Sequence, residues 1–580
     1  MIFLERPSNE TWSPRINSLE RFTAPDYNLH LLPHGIKATR SYDWTLTLQT
    51  LAPDGFAKVV IAVNGMIPGP LIEVNEGDRL IVNVTNMIEE PTSIHWHGLN
   101  QRSSQSQDGV GGFSQCPIPH GSNYVYDFEV NGQSGTYWWH SHSGLQYTDG
   151  LAGPLIVHGE DSDLVPGKDY DYDKVIFYQD WFHNSSKLIE KELLSSRGYE
   201  AWFFNSSKVA PSPQSGLING VGVYERVLTY TMPNCKKRVL PVIDVLPHSR
   251  VRLRFINGAS HSQGYLSVDK HPLTLVEVDD TTIEGLPNLH RVATANGQRA
   301  SAILKTDQGS DGDTFFLRIQ MHTGCISNVD PSLNPTTSVI LRYNSGNTTE
   351  FRAPKDQDWD DPIPEDCGDI PTSEMVPRFS RDPPPTASQV EFLNTRGGMI
   401  SVGGEEFFRF FSGNLTGISK PNSPMLHRIV DEGVSALDDG MVDLVVFDDK
   451  TISADLCINN MDFTLAHPVH LHAYTFWIVG EGPWSITPSN YSSVSSSFNV
   501  SNPLRRDTYI VRGSSWACLR ILNDIPGVWP FHCFHLSQGF MAAVVSQPNT
   551  ARQIGISQQE REICQADFDM GYSENERGAF

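Results

Sequence analysis

The sequence is short of basic residues and has no long apolar run. Its 580 residues include 43 Lys and Arg against 67 Asp and Glu, which gives a formal net charge of −24. So acidic a chain repels phosphate backbones and anionic lipid, which argues against nucleic-acid binding and membrane-surface binding. Because the sequence has no run of about 18 apolar residues, we predict no membrane span either.

Cysteine is also scarce. Eight cysteines in 580 residues are too few for a disulfide mini-scaffold, but they allow a few bridges. N-x-Ser/Thr sequons, which are typical of secreted glycoproteins, begin at Asn9, Asn83, Asn184, Asn205, Asn347, Asn414, Asn490 and Asn499. Residues 1–11 have neither the basic nor the apolar region of a signal peptide. We therefore expect a secreted or cell-wall glycoprotein whose true start lies upstream.

Helical periodicity is scarce as well, and SKLIEKELLSS (186–196) is the one segment that suggests a helix. Short strand-like runs are common instead, for example 43–51, 58–65 and 79–86, each bounded by Gly, Pro or Asn. Regular short strands with turn signals predict an all-β protein of sandwiches or barrels. The chain is too long for one ordinary core, so we expect two to four domains.

Two acidic, Gly- or Pro-containing stretches, at 157–174 and 353–385, interrupt the strand pattern. They predict a polar extension at 1–40, β-domains at 41–160, 165–350 and 388–548, a Pro/acidic linker at 351–387 and a tail at 549–580. A histidine motif followed by a strand occurs in the first and third of these domains, which suggests a weak internal repeat.

The 20 histidines are unevenly distributed. Four clusters stand out, namely HWHG (95–98), HSH (140–142), HPVHLH (467–472) and HCFH (532–535). Alternate residues of a strand share one face, so each H-x-H pair can offer two imidazoles in the same direction. Imidazole suits copper, zinc, iron or nickel, and histidine with thiolate suits electron-transfer copper. One such pair is usually only a polar surface pair, but four clusters in two domains indicate a metal site.

These four motifs resemble those of the multicopper oxidases, the family of laccases, ascorbate oxidases and ferroxidases. Their surroundings match as well, for example GTYWWHSHSGLQYTDGLAGPLIV and NPLRRDTYIV. The resemblance covers 41–160 and 385–548, and the middle domain only by its strand pattern. It implies three consecutive cupredoxin-like Greek-key β-sandwich domains. It also implies four coppers, of which the type 1 ion takes single electrons from phenolic or aromatic substrates. A trinuclear cluster of one type 2 and two type 3 ions then reduces dioxygen to water.

The resemblance assigns ligands residue by residue. The type 2 copper receives His95 and His470. The type 3 pair receives His97, His140, His142, His472 and His532. The type 1 copper receives His467 and Cys533, and the adjacency of His532 and Cys533 connects it to the cluster, so both residues also count as catalytic.

The fourth motif departs from the family pattern, which reads His-Cys-His-x3-His-x4-(Met, Leu or Phe). Here Phe534 follows Cys533, and counting back from Phe540 identifies His535 as the last histidine, so three residues are missing. If the chain stays extended, Cys533 and His535 share one face and can still close a type 1 site beside the noncoordinating Phe540. One type 3 ion is then under-coordinated, which puts oxygen reduction at risk.

Two explanations of this gap compete. One is a real deletion that leaves a weak or inactive oxidase; the other is a misplaced splice junction in the inferred coding sequence, which the family-like flanks favour. The alternative functions are a noncatalytic, structural copper-binding relic and a ferroxidase. The tail lacks the membrane span usual in ferroxidases of iron uptake, and a zinc hydrolase would give Cys533 no role.

Two carboxylates are further candidates. Asp108, in Gln-Asp-Gly, fits the family's carboxylate near the trinuclear cluster, a candidate for proton delivery, although Asp-Gly is also an ordinary turn. Asp180, in YQDWFHN, is a candidate acceptor of a phenolic proton near the type 1 copper.

For the cysteines, the resemblance implies a bridge from Cys116 to the tail, where Cys564 is the obvious partner. Cys235 and Cys325 both lie in the middle domain and are a candidate pair, but sequence does not establish connectivity. Cys518 is expected to be a buried thiol. The other two cysteines outside the copper motif receive no assignment.

Overall fold

The structure is a computed structural model. It describes residues 27–30, 32, 37–159, 163–199, 211–224, 240–326, 328–346, 351–417, 420–438, 440–533 and 540–566. Within these ranges the strands form six sheets, grouped as three two-sheet sandwiches in chain order. The prediction of consecutive cupredoxin-like β-sandwiches is confirmed. The exact domain limits remain predictions.

The first sandwich packs two four-stranded sheets. Its strands are β1 (Thr39–Leu51), β2 (Lys58–Val63), β3 (Ile72–Asn75), β4 (Arg79–Asn86), β5 (Ile94–His97), β6 (Asn123–Glu129), β7 (Gly135–Ser141) and β8 (Ala152–His158). The sheet orders are β2-β1-β4-β6 and β3-β8-β7-β5. β4 and β6 alternate buried with more exposed residues, as expected of an outer sheet with one wet face, whereas β5 and β7 are buried throughout.

The second sandwich has a six-stranded and a five-stranded sheet. Its strands are β9 (Tyr172–Trp181), β10 (Ser215–Ile218), β11 (Val242–Val245), β12 (Arg250–Asn257), β13 (Gly264–Val268), β14 (Leu273–Val278), β15 (Thr281–Leu289), β16 (Val292–Thr294), β17 (Arg299–Lys305), β18 (Thr314–Met321) and β19 (Thr336–Tyr343). The sheet orders are β10-β9-β12-β17-β14-β15 and β11-β19-β18-β13-β16.

The third sandwich repeats this plan. Its strands are β20 (Gln389–Val402), β21 (Glu405–Ser412), β22 (Asp443–Phe447), β23 (Ser453–Asn460), β24 (His467–Leu471), β25 (Phe476–Pro483), β26 (Arg505–Arg506), β27 (Thr508–Val511), β28 (Ser515–Leu522), β29 (Gly527–Cys533) and β30 (Met541–Ser546). The sheet orders are β21-β20-β23-β28-β25-β26 and β22-β30-β29-β24-β27. β24 and β29 are buried throughout, like β5 and β7 of the first sandwich.

The helices of the described ranges are short. They are α1 (Ser186–Leu194), α2 (Met425–Glu432), α3 (Tyr491–Val494), α4 (Pro548–Ala551) and α5 (Gln558–Ile563). α1 confirms the helix predicted in this region, and the side chain of Ser185 caps it by accepting the Leu188 N–H. No helix of the described ranges has the length and apolar character needed to cross a bilayer.

The disulfides confirm one cysteine prediction and correct another. Cys116 is bonded to Cys564, as expected, which fastens the tail to the first sandwich. The predicted pairing of Cys235 with Cys325 is wrong, because Cys325 is bonded to Cys367. Cys235 lies outside the described residues. This pairing depends on the segment that contains Cys367 returning to the end of β18. No local sequence pattern indicates that return.

Cys518 is not a buried thiol. It lies on β28 directly opposite Cys457 of β23, and the two residues form a disulfide. The sequence shows both strands but not their pairing, which sets the two sulfurs face to face.

Arg299 joins all three sandwiches. It lies at the start of β17, and its Nη1 and Nη2 donate to the Asp507 carboxylate of the third sandwich at 2.7 and 2.5 Å. Its Nε donates to the Thr136 carbonyl of the first sandwich at 2.9 Å, and Asp279 of its own sandwich lies 3.5 Å away. The arginine is fully buried, so its charge depends on these partners.

We predict that Arg299→Met lowers the free energy of unfolding by about 3–5 kcal/mol, because it leaves the Asp507 carboxylate buried without its cation. Urea unfolding followed by tryptophan fluorescence measures the loss. The matched control is Arg79→Met, which breaks a solvent-exposed Arg–Asp pair with Asp127 and should move the midpoint little. Equal shifts in both variants would contradict the prediction.

Candidate metal centre

Strand register brings the four histidine motifs together between the first and third sandwiches. In the first, β5 runs antiparallel to β7 and His95 lies opposite His140. In the third, β24 runs antiparallel to β29 and His470 lies opposite His532. We call the resulting set the seven-imidazole cluster. Its members are His95, His97, His140, His142, His470, His472 and His532.

The donor atoms of the seven-imidazole cluster are close enough to share metal ions. Three sets of side chains place their ligand atoms within 4.8 Å of one another, namely His95–His470–His472, His95–His97–His140 and His142–His472–His532. The Nε2 atom of His532 lies 3.0 Å from that of His472 and 3.3 Å from that of His142. Lone pairs this close repel unless a cation lies between them.

Oxygen acceptors fix which ring nitrogen faces the interior. Five imidazoles have Nδ1 within hydrogen-bond distance of an oxygen: His95 with the Asp108 carbonyl (2.8 Å), His140 with the Ser141 carbonyl (2.9 Å), His470 with the Asp507 carbonyl (2.8 Å), His472 with the Asp108 carboxylate (2.9 Å) and His532 with the Cys533 carbonyl (3.2 Å). Donation from Nδ1 leaves the Nε2 lone pair for a metal. His97 is reversed, because its Nε2 lies 3.2 Å from the Asp507 carboxylate.

Burial keeps the cluster in its metal-binding form. Desolvation lowers the pKa of four members well below the usual range: His97, His140, His142 and His472. It lowers the pKa of His470 to about 3 and that of His532 to about 4. A neutral imidazole is the ligand form. The Nε2 of His95 is buried with no hydrogen-bond partner among the described residues. The cluster therefore fits transition-metal ions.

A second centre lies on the other side of β29. The Cys533 sulfur is 3.5 Å from Nδ1 of His467, whose Nε2 lies 2.7 Å from the Asp462 carboxylate. Burial opposes the charged form of His467, but Cys533 and Asp462 outweigh it and raise the pKa of this imidazole to about 9. The Phe540 ring is 5.5 Å from the His467 ring. Thiolate, imidazole and an apolar neighbour are the surroundings of electron-transfer copper.

The two centres meet at a peptide bond. Successive residues of a strand point to opposite faces. His532 therefore belongs to the seven-imidazole cluster, where it contacts His472, while Cys533 contacts His467. Phe534 and His535 lie outside the described residues, so their assignments stay predictions.

Asp180 does not have the open position expected of a proton acceptor for a phenol. It is buried, and its carboxylate accepts the backbone N–H groups of Ser260, His261 and Ser262 at 2.8–3.0 Å. Burial raises its pKa although these hydrogen bonds oppose the shift. The residue holds the turn at 260–262, and the sequence could not show that its lone pairs are used internally.

Sequence reasoning also missed two carboxylates that orient ligands. Asp462 lies five residues before His467, a spacing that could have drawn attention to it. Asp507 contacts both His97 and Arg299, and only its place in the family-like segment NPLRRDTYIV marked it.

Comparison with known proteins agrees with this geometry. Three family models described as multicopper oxidase match residues 45–162, 172–346 and 442–550. Laccase-1 of Cryptococcus neoformans var. grubii is 38% identical over 88% of this chain and 81% of its own length. Laccase-5 of Trametes versicolor is 31% identical over 88% and 89%.

Solved structures show the same likeness. The laccase from Botrytis aclada superposes with a TM-score of 0.76 at 27% identity, covering 94% of this chain and 92% of that one. Fet3p, a multicopper oxidase that functions in iron import, gives 0.77 at 26% identity, covering 91% and 94%.

We predict that Asp108→Ala weakens metal retention by the seven-imidazole cluster about 10- to 100-fold, the usual effect of removing a carboxylate that orients a ligating histidine. Asp108→Asn should weaken it less, because the amide oxygen can still accept from His472. Competition with a chelator, followed by metal analysis, measures both. The control is Asp127→Ala, a more exposed carboxylate of the same sandwich. Unchanged retention in Asp108→Ala would refute this role.

Proposed function

This chain belongs to the multicopper oxidases, copper-dependent oxidoreductases that use dioxygen, and we propose that it is a laccase-like enzyme that oxidises phenolic or other aromatic donors. The observation that carries the proposal is the pair of centres joined at His532 and Cys533. One centre has the donors of an electron-accepting copper, and the other can hold several ions together. Relatives named laccase support the same reading.

The ligands follow the assignment implied by the motifs. His467 and Cys533, with His535 as the expected third ligand, would hold the type 1 copper, and the seven-imidazole cluster would hold the type 2 and type 3 ions. Copper bound there supplies one-electron oxidation of the donor and four-electron reduction of dioxygen to water. His95 and His470, the proposed type 2 ligands, fall in one close set, and His142, His472 and His532, proposed for type 3, fall in another.

The protein's own groups orient these ligands and exclude water. Asp108 accepts from His472 through its carboxylate and from His95 through its carbonyl, so one residue fixes two rings. Its carboxyl group is fully buried beside the cluster. We propose that this group also relays protons toward the oxygen that is reduced.

The surface beside the type 1 centre suits an aromatic donor. Met461, Phe463 and Trp484, here called the apolar patch, expose 54%, 84% and 75% of their surface. The Trp484 N–H donates to the Ser514 carbonyl, and the Ser514 N–H donates to the Asp462 carbonyl, both at 2.7 Å. Met461 and Phe463 therefore flank Asp462 in the chain, the two hydrogen bonds connect the Trp484 backbone to it, and Asp462 contacts His467. Exposed apolar groups of this size favour contact with an aromatic ring.

Iron is the competing donor, because Fet3p functions in iron import. A ferrous ion gains nothing from an apolar surface, whereas a phenol does. The noncatalytic alternative differs from both, since it predicts no oxygen consumption with any donor.

We predict that Cys533→Ser abolishes the intense thiolate–copper absorption and stops oxygen consumption with phenolic donors, because the sulfur that contacts His467 is lost. Visible spectra and an oxygen electrode measure the two effects. The matched control is the Cys457→Ser/Cys518→Ser double variant, which removes sulfur from the same sandwich but should keep both properties. Wild-type turnover in Cys533→Ser would refute the proposal.

We predict that Phe463→Ala and Trp484→Ala each raise KM for a diphenol about fivefold, for roughly 1 kcal/mol of lost apolar contact. Oxidation of ferrocyanide, a donor with no apolar face, should be unchanged. The control is Ile452→Ala, which removes an equally exposed apolar side chain (72%) from another loop. A larger effect on ferrous iron than on the diphenol would favour the ferroxidase alternative.

A further inference from the structure

The second sandwich carries a separate group of metal-binding side chains. The ligand atoms of His322, Cys325 and Cys367 lie within 4.8 Å of one another. His322 precedes a single 3-10 turn, Thr323–Cys325, which follows β18 and ends at Cys325. Cys367 comes from the segment before β20. The two sulfurs are joined as a disulfide. None of the four histidine motifs contributes to this group.

His322 is held in place and keeps a donor atom unused. Its backbone N–H donates to the Gln263 carbonyl at 3.0 Å. The residue is 4% exposed, and its Nε2 is buried with no hydrogen-bond partner among the described residues. Burying an unpaired ring nitrogen costs free energy. The group therefore contains a buried histidine whose Nε2 no described residue satisfies.

Gly324 allows the turn to close over the histidine ring. A β-carbon at this position would lie 2.9 Å from Cε1 and 3.2 Å from Nδ1 of His322. Any larger residue would require the His322 ring to shift. Glycine at 324 therefore lets the ring pack closely against the turn.

The group borders the cavity beside the proposed type 1 centre. Cys325, Cys367, Ala466 and Pro468 line one cavity of about 100 Å³, and the last two flank His467. The Gln263 side-chain oxygen, also at this cavity, lies 3.8 Å from the Cys325 sulfur. An ion held by the group would thus have an open fourth position facing the cavity.

We propose that reduction of the Cys325–Cys367 disulfide creates a second kind of metal site, in which two thiolates and His322 bind a zinc-class ion. A Cys2His set with an open fourth position is a known zinc geometry, and thiolates also suit copper(I). The reductant is a dithiol, which gives two electrons and two protons to the S–S bond and becomes a disulfide itself. Binding of a divalent ion then releases the two thiol protons. In the oxidised form the same sulfurs only crosslink the chain.

The site gives the cavity wall two states. The oxidised wall is a crosslink with no charge, and the reduced, loaded wall places an ion beside Ala466 and Pro468. Metal binding does not depend on the proposed oxidase function.

The test counts cadmium ions bound to the full-length, copper-loaded protein before and after reduction by a water-soluble phosphine. In this reaction the disulfide and one water yield two thiols and the phosphine oxide. We expect reduction to add about one cadmium per chain, with an ultraviolet thiolate–cadmium absorption. His322→Ala should weaken that binding at least about tenfold while leaving the thiol count unchanged.

The Cys325→Ser/Cys367→Ser variant controls for the other cysteines. It keeps the Cys116–Cys564 and Cys457–Cys518 disulfides, and it also keeps Cys235 and Cys533. It should bind no additional cadmium after reduction. Circular dichroism checks that the reduced protein stays folded. The proposal is overturned if reduction unfolds the chain, if no ion is added, or if His322→Ala binds as tightly as wild type.

Discussion

The structure depends on packing seven buried imidazoles between two β-sandwiches. No single sandwich contains the cluster, so the first and third must dock in one register for the rings to meet. Burial lowers the pKa of six of the rings, namely His97, His140, His142, His470, His472 and His532. Carbonyl and carboxylate oxygens lie within hydrogen-bond distance of one nitrogen of six rings, all except His142. Such a site is costly without a cation, since ring nitrogens face one another at hydrogen-bond distance. Family membership and the geometry of the site thus both indicate that the cluster binds metal ions.

The second sandwich has no histidine motif, yet it supports the site. Its Arg299 neutralises Asp507, which in turn contacts His97 and lies beside His470. Arg299 of the second sandwich therefore fixes the Asp507 carboxylate of the third. That carboxylate in turn contacts His97, a ligand on the first sandwich. This arrangement gives a physical reason for a middle domain in a chain whose metal ligands come from the two ends. Loss of docking and loss of metal should be coupled.

The all-β fold and most of the candidate metal ligands could be predicted from the sequence, because strand alternation and turn residues are local signals. Three of the four histidine motifs contain H-x-H spacing, which is visible in any extended chain; the fourth, HCFH (532–535), is marked by its cysteine between histidines. The features that could not be predicted, such as the disulfide partners, depend on pairing between strands that are distant in the sequence. Cys457 and Cys518 become partners only when β23 and β28 align. The sequence suggests Asp180 as a phenol-proton acceptor, but its carboxylate accepts from a turn 80 residues away. Asp462 lies only five residues before His467, yet no motif in the sequence marks it.

The most direct test of the central claim is copper per chain, measured by elemental analysis of this sequence expressed as written and reconstituted with copper. We predict close to four ions, as in laccases, because the seven-imidazole cluster and the Cys533–His467 centre both fill. A value near one would mean that the imidazoles hold no stable cluster, and it would contradict the oxidase assignment. No copper at all would contradict both centres.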